Sequence, residues 1–208
     1  MTGTDVREHV MAERREQADL LAGLTEEEWD RPTLCAGWRV REVIAHTTMA
    51  YRLSGPRFLL EMVKAGGRFD RMADATARRD AAAMSSADLV ACLRDNVAHP
   101  WKPPGGGDVG ALSHDVIHGL DATVGAGLDR RPPPERVRLV LSEVKPRQLR
   151  YFGVDLDGVQ LVATDIDWSF GAGRPLRAPA QDLLLVLCGR RLPAGRLAGE
   201  HAERFSAA

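Results

Sequence analysis

Residues 108–124 constrain the fold of this chain more than any other stretch. Spaced at about 100° per residue, Val109, Leu112, Val116, Leu120 and Val124 line one face of a helix. Much of the remaining circumference is small or apolar (Gly110, Ala111, Ile117, Ala122), and Asp108 and Asp115 occupy a narrow edge. A helix that is apolar nearly all round is buried on most of its sides. Its one polar stripe, His114, His118 and Asp121, is therefore as open to facing protein as to facing water.

The rest of the first two-thirds of the chain also reads as helix. Residues 4–24 carry Val6, Val10, Leu20, Leu21 and Leu24 at helical spacing, interrupted by Glu13 and Gln17. Thr25 and Glu28 form a capping-box pattern for a short turn that Pro32 ends. Thr33–Trp38 reads as a loop with Trp38 as a buried aromatic candidate. Residues 39–64 are expected to be helical through Val40, Val43, Ile44, Thr47 and Ala50, with an interruption at Ser54-Gly55-Pro56. Residues 65–84 give little pattern and are expected to form a loop with partial helix. Ser85 opens a further helix whose stripe is Leu89, Cys92, Leu93 and Val97. Breaks at 102–107 and 131–134 frame the 108–124 helix, and Glu135–Val144 is helical up to Pro146.

Near residue 147 the period changes. Phe152–Leu156 and Val159–Thr164 flank Asp157-Gly158, a hairpin signal. Pro175–Arg177 reads as a third short strand. Pro179 then opens an apolar helix over 179–188, closed by Gly189. The chain is expected to divide into residues 1–146, helical, and 147–208, a small α+β piece.

Composition excludes several functions. With 28 basic and 29 acidic residues in 208, there is no basic excess for nucleic acid or an anionic membrane. Met1–Asp5 lacks the pattern of a signal peptide, and the longest apolar run, Leu183–Cys188, is too short to span a bilayer. Cys35, Cys92 and Cys188 are odd in number and far apart, which argues for a reducing compartment and against a disulfide framework or a CxxC zinc site. The expectation is a soluble cytoplasmic protein with a small-molecule partner.

Two imidazoles one helical turn apart can bind one metal ion together. Equally, such a pair is common on a solvated helix face, and spacing alone leaves both readings open. His46 is the leading third ligand, because it lies beside Val43 and Ala50 at the edge of a core-facing stripe. His9, His99 and His201 show no such placement. The run His114-Asp115-Val116-Ile117-His118 also approaches the HExxH pattern of zinc peptidases, with Asp115 as the general base. However, Asp115 lies well around the helix from the histidine stripe.

Thr33-Leu-Cys-Ala-Gly-Trp-Arg-Val-Arg-Glu-Val-Ile-Ala-His46 resembles the T-x-C-x-G-W-x-V-x-D-V-x-A-H signature of mycothiol-dependent maleylpyruvate isomerase-like proteins, within the DinB-like metalloprotein superfamily. His114–Asp121 resembles that family's second metal-binding segment. Ala163–Trp168, Gly171–Gly173, Arg177–Ala180 and Leu183–Arg190 resemble its C-terminal part. The resemblance implies an α+β fold: a DinB-like up-and-down four-helix bundle followed by a small α+β C-terminal domain. It implies metal ligands at His46, His114 and His118. The isomerase itself places Glu where His114 stands, which puts its specific substrate in question.

On this resemblance, three protein ligands leave a fourth position of a divalent metal, zinc above all, for a low-molecular-weight thiol such as mycothiol. Zinc deprotonates a coordinating thiol, and the thiolate would attack a small electrophile, to isomerise it or to transfer the thiol. Asp121 is a candidate for holding a ligand imidazole. Arg190 is the first candidate among Arg174, Arg177, Arg190 and Arg191 for catalysis or for binding the cofactor or an anionic substrate. Cys35 is expected to pack against Trp38, and Trp168 to pack at a strand end. The alternatives are a non-catalytic metal-binding or sensing protein and a zinc hydrolase built on Asp115.

Overall fold

The computed structural model describes residues 3–207, so the expectation about Met1–Asp5 bears partly on residues outside that range. The first helix, α1 (Gly3–Ala22), buries Val6, Val10, Ala18 and Leu21. Glu13 and Gln17 lie within that buried face rather than breaking it. Glu13 is fully buried and accepts from Gln17 (2.8 Å), Arg130 (2.6 Å) and Arg136 (2.9 Å), so the polar interruption is a buried hydrogen-bonded network in which the carboxylate is matched. Thr25 and Glu28 form the capping box of α2 (Glu26–Trp29), whose Trp29 is buried.

The next helical stretch divides at Ser54 into α3 (Val40–Arg52), buried from Val40 to Met49 except at the half-buried Arg41, and α4 (Gly55–Lys64), which contributes no buried residue. Residues 65–84 differ from expectation. They form α5 (Phe69–Ala83), which lays Met72, Ala73, Thr76, Ala77, Asp80 and Ala81 against α3. An alanine face lets two helices approach closely but adds little hydrophobic contrast to the sequence, so its period is faint. Asp80 on that face is matched by Arg52 of α3 (2.5 Å).

Ser85 and Asp88 cap α6 (Ser86–Asp95), and α7 (Gly107–Gly125) follows. The bundle is a ring in which α1 touches α6 and α7, and α3 touches the same two. The helix α7 meets that demand for surroundings: Leu112, Val116 and Leu120 are fully buried. Next come α8 (Pro134–Ser142) and α9 (Pro146–Tyr151).

The expected hairpin is corrected. Phe152–Leu156 forms no strand. Pro146 at a helix start and the Lys145 N–H on Gln148 Oε1 (2.6 Å) commit the chain just before it to α9. Asp155 then bends it by accepting from the Asp157 N–H (2.8 Å). The Asp157-Gly158 turn leads into β1 (Val159–Ala163), which pairs antiparallel with β2 (Ser169–Gly171) and parallel with β3 (Arg174–Ala178), in the order β2-β1-β3. Asp165 accepts from the Ala180 N–H (2.8 Å) at the start of α10 (Ala180–Leu187), and a 3-10 turn spans Ala202–Phe205.

One apolar cluster joins α1 and α7 (Val10, Leu112, Val116) to α8 (Val137, Val140), the sheet (Leu161, Leu176) and the buried Leu183–Leu187 of α10. Each such side chain contributes about 1.5–3 kcal/mol by leaving water. The C-terminal segment is thereby fixed beside α7. A second cluster, around Leu21, Trp29, Val40, Ile44, Leu89 and Leu93, fills the bundle.

Candidate metal centre

α3 and α7 bring His46, His114 and His118 together. Ring centroids lie 4.8 Å apart for His114 and His118, 4.9 Å for His46 and His118, and 5.5 Å for His46 and His114. One ligand atom from each lies within 4.8 Å of the others. The polar stripe of α7 therefore faces α3 rather than solvent.

Hydrogen bonds orient two of the three rings. His114 Nδ1 contacts Asp115 Oδ1 at 3.1 Å, and His118 Nδ1 contacts Asp121 Oδ2 at 3.1 Å. A carboxylate can only accept, so each Nδ1 carries a proton, which in the neutral ring leaves the lone pair on Nε2. His46 Nδ1 is buried and has no hydrogen-bond partner among the described residues. Burial, followed by the neighbouring His118 and His114, pushes the His46 pKa well below the ordinary value. Burial also lowers that of His114. Both rings are neutral near pH 7, the form that binds a metal. Three converging imidazoles fit a borderline cation such as zinc.

Each supporting acid has its own arginine. Arg14 Nε donates to Asp115 Oδ2 at 2.7 Å, so both oxygens of Asp115 are engaged. Arg190 Nε and Nη2 donate to Asp121 Oδ1 (2.7 Å) and Oδ2 (2.8 Å). Burial alone would raise the Asp121 pKa, but Arg190 and His118 hold it far below the carboxylate range. The third donor of Arg190, Nη1, meets the Cys188 carbonyl at 3.2 Å. Cys35 is more than packing for Trp38: its thiol donates to Asp121 Oδ2 at 3.1 Å. Burial, with Asp121 next in effect, pushes the Cys35 thiol pKa upward, so it stays a neutral donor. Cys35, His118 and Asp121 also form a compact second donor group, but one whose atoms already bind one another.

Of the four C-terminal arginines weighed above, Arg190 reaches the centre. Arg174 (Glu200, 3.5 Å) and Arg191 (Ser206 carbonyl, 3.3 Å) bond elsewhere, and Arg177 is exposed. Trp168 stacks on Phe170 with centroids 6.2 Å apart. His99 lies outside the triad, accepting from the Trp101 N–H at 3.2 Å. Trp38, expected to be a buried aromatic, is half-buried and stands 5.2 Å from His46. Two participants escape a sequence reading. Trp101 stands 5.0 Å from His114, and Arg14 sits behind Asp115. The polar Glu13–Gln17 break in the α1 stripe was the one available sign of Arg14.

Comparison with known proteins comes from two directions. The profile of the mycothiol maleylpyruvate isomerase N-terminal domain matches residues 10–148. Two crystal structures are similar to this one. The mycothiol-dependent maleylpyruvate isomerase has 13% identity, and a histidine-to-alanine mutant of that enzyme has 12%. Both have a TM-score of 0.61, with 97% of this chain and 94% of theirs covered. At that identity the likeness speaks for the fold, the DinB-like one. No curated protein sequence gives a significant match.

Proposed function

Since the chain belongs to the mycothiol maleylpyruvate isomerase N-terminal domain family, we propose that it is a metal-dependent enzyme that uses a low-molecular-weight thiol, mycothiol, to isomerise or thiolate a small electrophile. The observation that carries this reading is the convergence of His46, His114 and His118, two of them backed by carboxylates. These three would hold a divalent ion, zinc by the character of the donors. Such an ion with three protein ligands keeps a position open and deprotonates a thiol that coordinates there.

The residues of the chain prepare that site. Asp115 and Asp121 fix the tautomers of His114 and His118. Arg14 and Arg190 neutralise the two acids, so a bound dication would not be offset by them. The result is a positive site suited to a thiolate and to an electrophile bearing negative charge. Trp38 and Trp101 flank His46 and His114 and keep water from that side. Arg190 holds Asp121 rather than presenting a free fork, so its service to the reaction passes through His118. A hydrolase would need Asp115 as a free base, and a carboxylate with both oxygens engaged does not favour that role.

The test is metal analysis of untagged protein followed by assay with mycothiol and a panel of electrophiles that includes maleylpyruvate. The expected result is one divalent ion per chain, lost in His118→Ala together with thiol-dependent turnover. Protein without stoichiometric metal, and unchanged by His118→Ala, overturns the proposal. Metal-loaded protein that stays silent across the panel leaves the metal site but overturns the enzymatic reading in favour of a binding or sensing role.

A further inference from the structure

Arg14 lies on α1, 101 residues before its partner Asp115, and is 1% exposed. Its position is over-determined. Nε donates to Asp115 Oδ2 (2.7 Å), Nη1 to the carbonyls of Val97 (3.2 Å) and His99 (2.9 Å), and the guanidinium lies 5.1 Å from the Tyr51 ring centroid. Gln17, one turn further along α1, binds the Asp115 carbonyl at 2.7 Å. Tyr51 of α3 and the carbonyls of the α6–α7 connection thus hold the one guanidinium that α1 presents to the Asp115 carboxylate.

Stability does not account for this arrangement. Burying an ion pair costs desolvation that a well-packed apolar pair of similar volume would avoid. The ion pair does supply a charged acceptor at a defined place, and that acceptor meets His114 Nδ1 at 3.1 Å. The pattern repeats on the next ligand, where Arg190 holds Asp121 and Asp121 holds His118. By contrast, Glu13 with Arg130 and Arg136 is equally buried but touches none of the three histidines.

We propose that Arg14 is a positioning residue of the metal centre, holding Asp115 so that Asp115 fixes the tautomer and ring plane of His114. The inference rests on the metal reading given above. Without the guanidinium, Asp115 would be an uncompensated buried charge, free to turn from His114. Partners of this kind behind a ligand imidazole govern metal affinity as well as activity.

The experiment measures Zn²⁺ affinity of the full chain by competition with a chromophoric chelator, and the visible spectrum of the Co²⁺-loaded protein. Arg14→Gln and Asp115→Asn are each expected to lose about 10–100-fold in affinity and to shift the Co²⁺ bands. The double variant, in which two amides replace the buried ion pair, should lose about as much as either single one, because both act through one link. It carries the test if a single variant fails to fold. Arg14→Lys, which keeps the charge without the fork, should recover part of the loss. Arg136→Gln, in the network that misses the ligands, should lower the melting temperature and leave affinity and spectrum intact. A folded Arg14→Gln or double variant with wild-type affinity and spectrum overturns the proposal. A wild-type chain that binds no Zn²⁺ overturns the metal reading itself.

Discussion

Arg190 grips Asp121 through both carboxylate oxygens, at 2.7 and 2.8 Å, while Asp121 Oδ2 also meets His118 Nδ1 at 3.1 Å. The C-terminal segment therefore reaches into the bundle and completes the support of a histidine on α7. Gly189 makes this reach possible. It turns the chain at φ +74, and a Cβ there would stand 2.8 Å from the Phe152 carbonyl oxygen.

Removing that arginine should be costly. Asp121 is fully buried, and Arg190→Ala would leave it without the guanidinium that balances its charge. Losing one member of a buried pair destabilises by about 3–5 kcal/mol. Arg190→Lys keeps the charge but not the two-pronged contact and should lose less. Urea unfolding of the three proteins gives the order wild type, Lys, Ala. Equal midpoints for wild type and Ala would show that the contact contributes nothing.

Metal removal should show in thermal stability. A ligand present at about 100 times its dissociation constant adds about 2.7 kcal/mol to the folded state. For a chain of this length that is about 5–10 °C in melting temperature. Chelation should lower the wild-type transition by this order, whereas His118→Ala, missing one of the three converging rings, should not respond to chelator. The comparison is read by differential scanning fluorimetry. A wild-type transition indifferent to chelator counts against a stably held ion.

Local signals explain what was legible beforehand. The stripe of α7, the histidine spacing, the capping box at Thr25/Glu28 and the helix start at Ser85 all arise from residues within one or two turns of each other. What escaped depends on distant partners. Arg14 and Asp115 are 101 residues apart, and nothing in either neighbourhood announces the other. The Asp157-Gly158 turn was visible, but its presumed first strand was not one. The actual partners of β1 are β2 and β3, and the parallel β3 pairing has no turn signature. The face of α5 was faint because alanines bury little area. The meeting of His46 with His114 and His118 was legible because its helix edge could be read and its motif resembles a known one.

The loop that carries Cys35 depends on the absence of a side chain at Gly125. A Cβ there would lie 2.5 Å from the backbone of Thr33 and from the Leu34 nitrogen, neither of which is a flexible end that can move aside. The same loop is tied to α7 by the Leu34 N–H on the Asp121 carbonyl (3.0 Å) and by Cys35 on Asp121. Gly125→Ala should push the loop outward, destabilise the fold by about 1–3 kcal/mol and free the Cys35 thiol for modification. Thiol titration of the native proteins checks this. Unchanged Cys35 protection in the variant would mean that the loop tolerates the added methyl.

Glu42 offers a pH test at the start of α3, one turn before His46. Burial alone would raise its pKa, but the Arg39 side chain and the Arg39 N–H (2.8 Å) outweigh that and hold it below the ordinary value of 4.5. A carboxylate whose pKa is lowered by folding stabilises the protein above the unfolded value. That contribution fades as pH falls through the folded value. Glu42→Gln keeps a side-chain acceptor for the Arg39 N–H but loses the charge. It should therefore cost about 1–2 kcal/mol at pH 7, and the gap from wild type should close as pH drops below 4.5. Unfolding midpoints between pH 7 and pH 3 measure it. A gap that stays constant over that range would mean that the Glu42 charge is not what anchors α3.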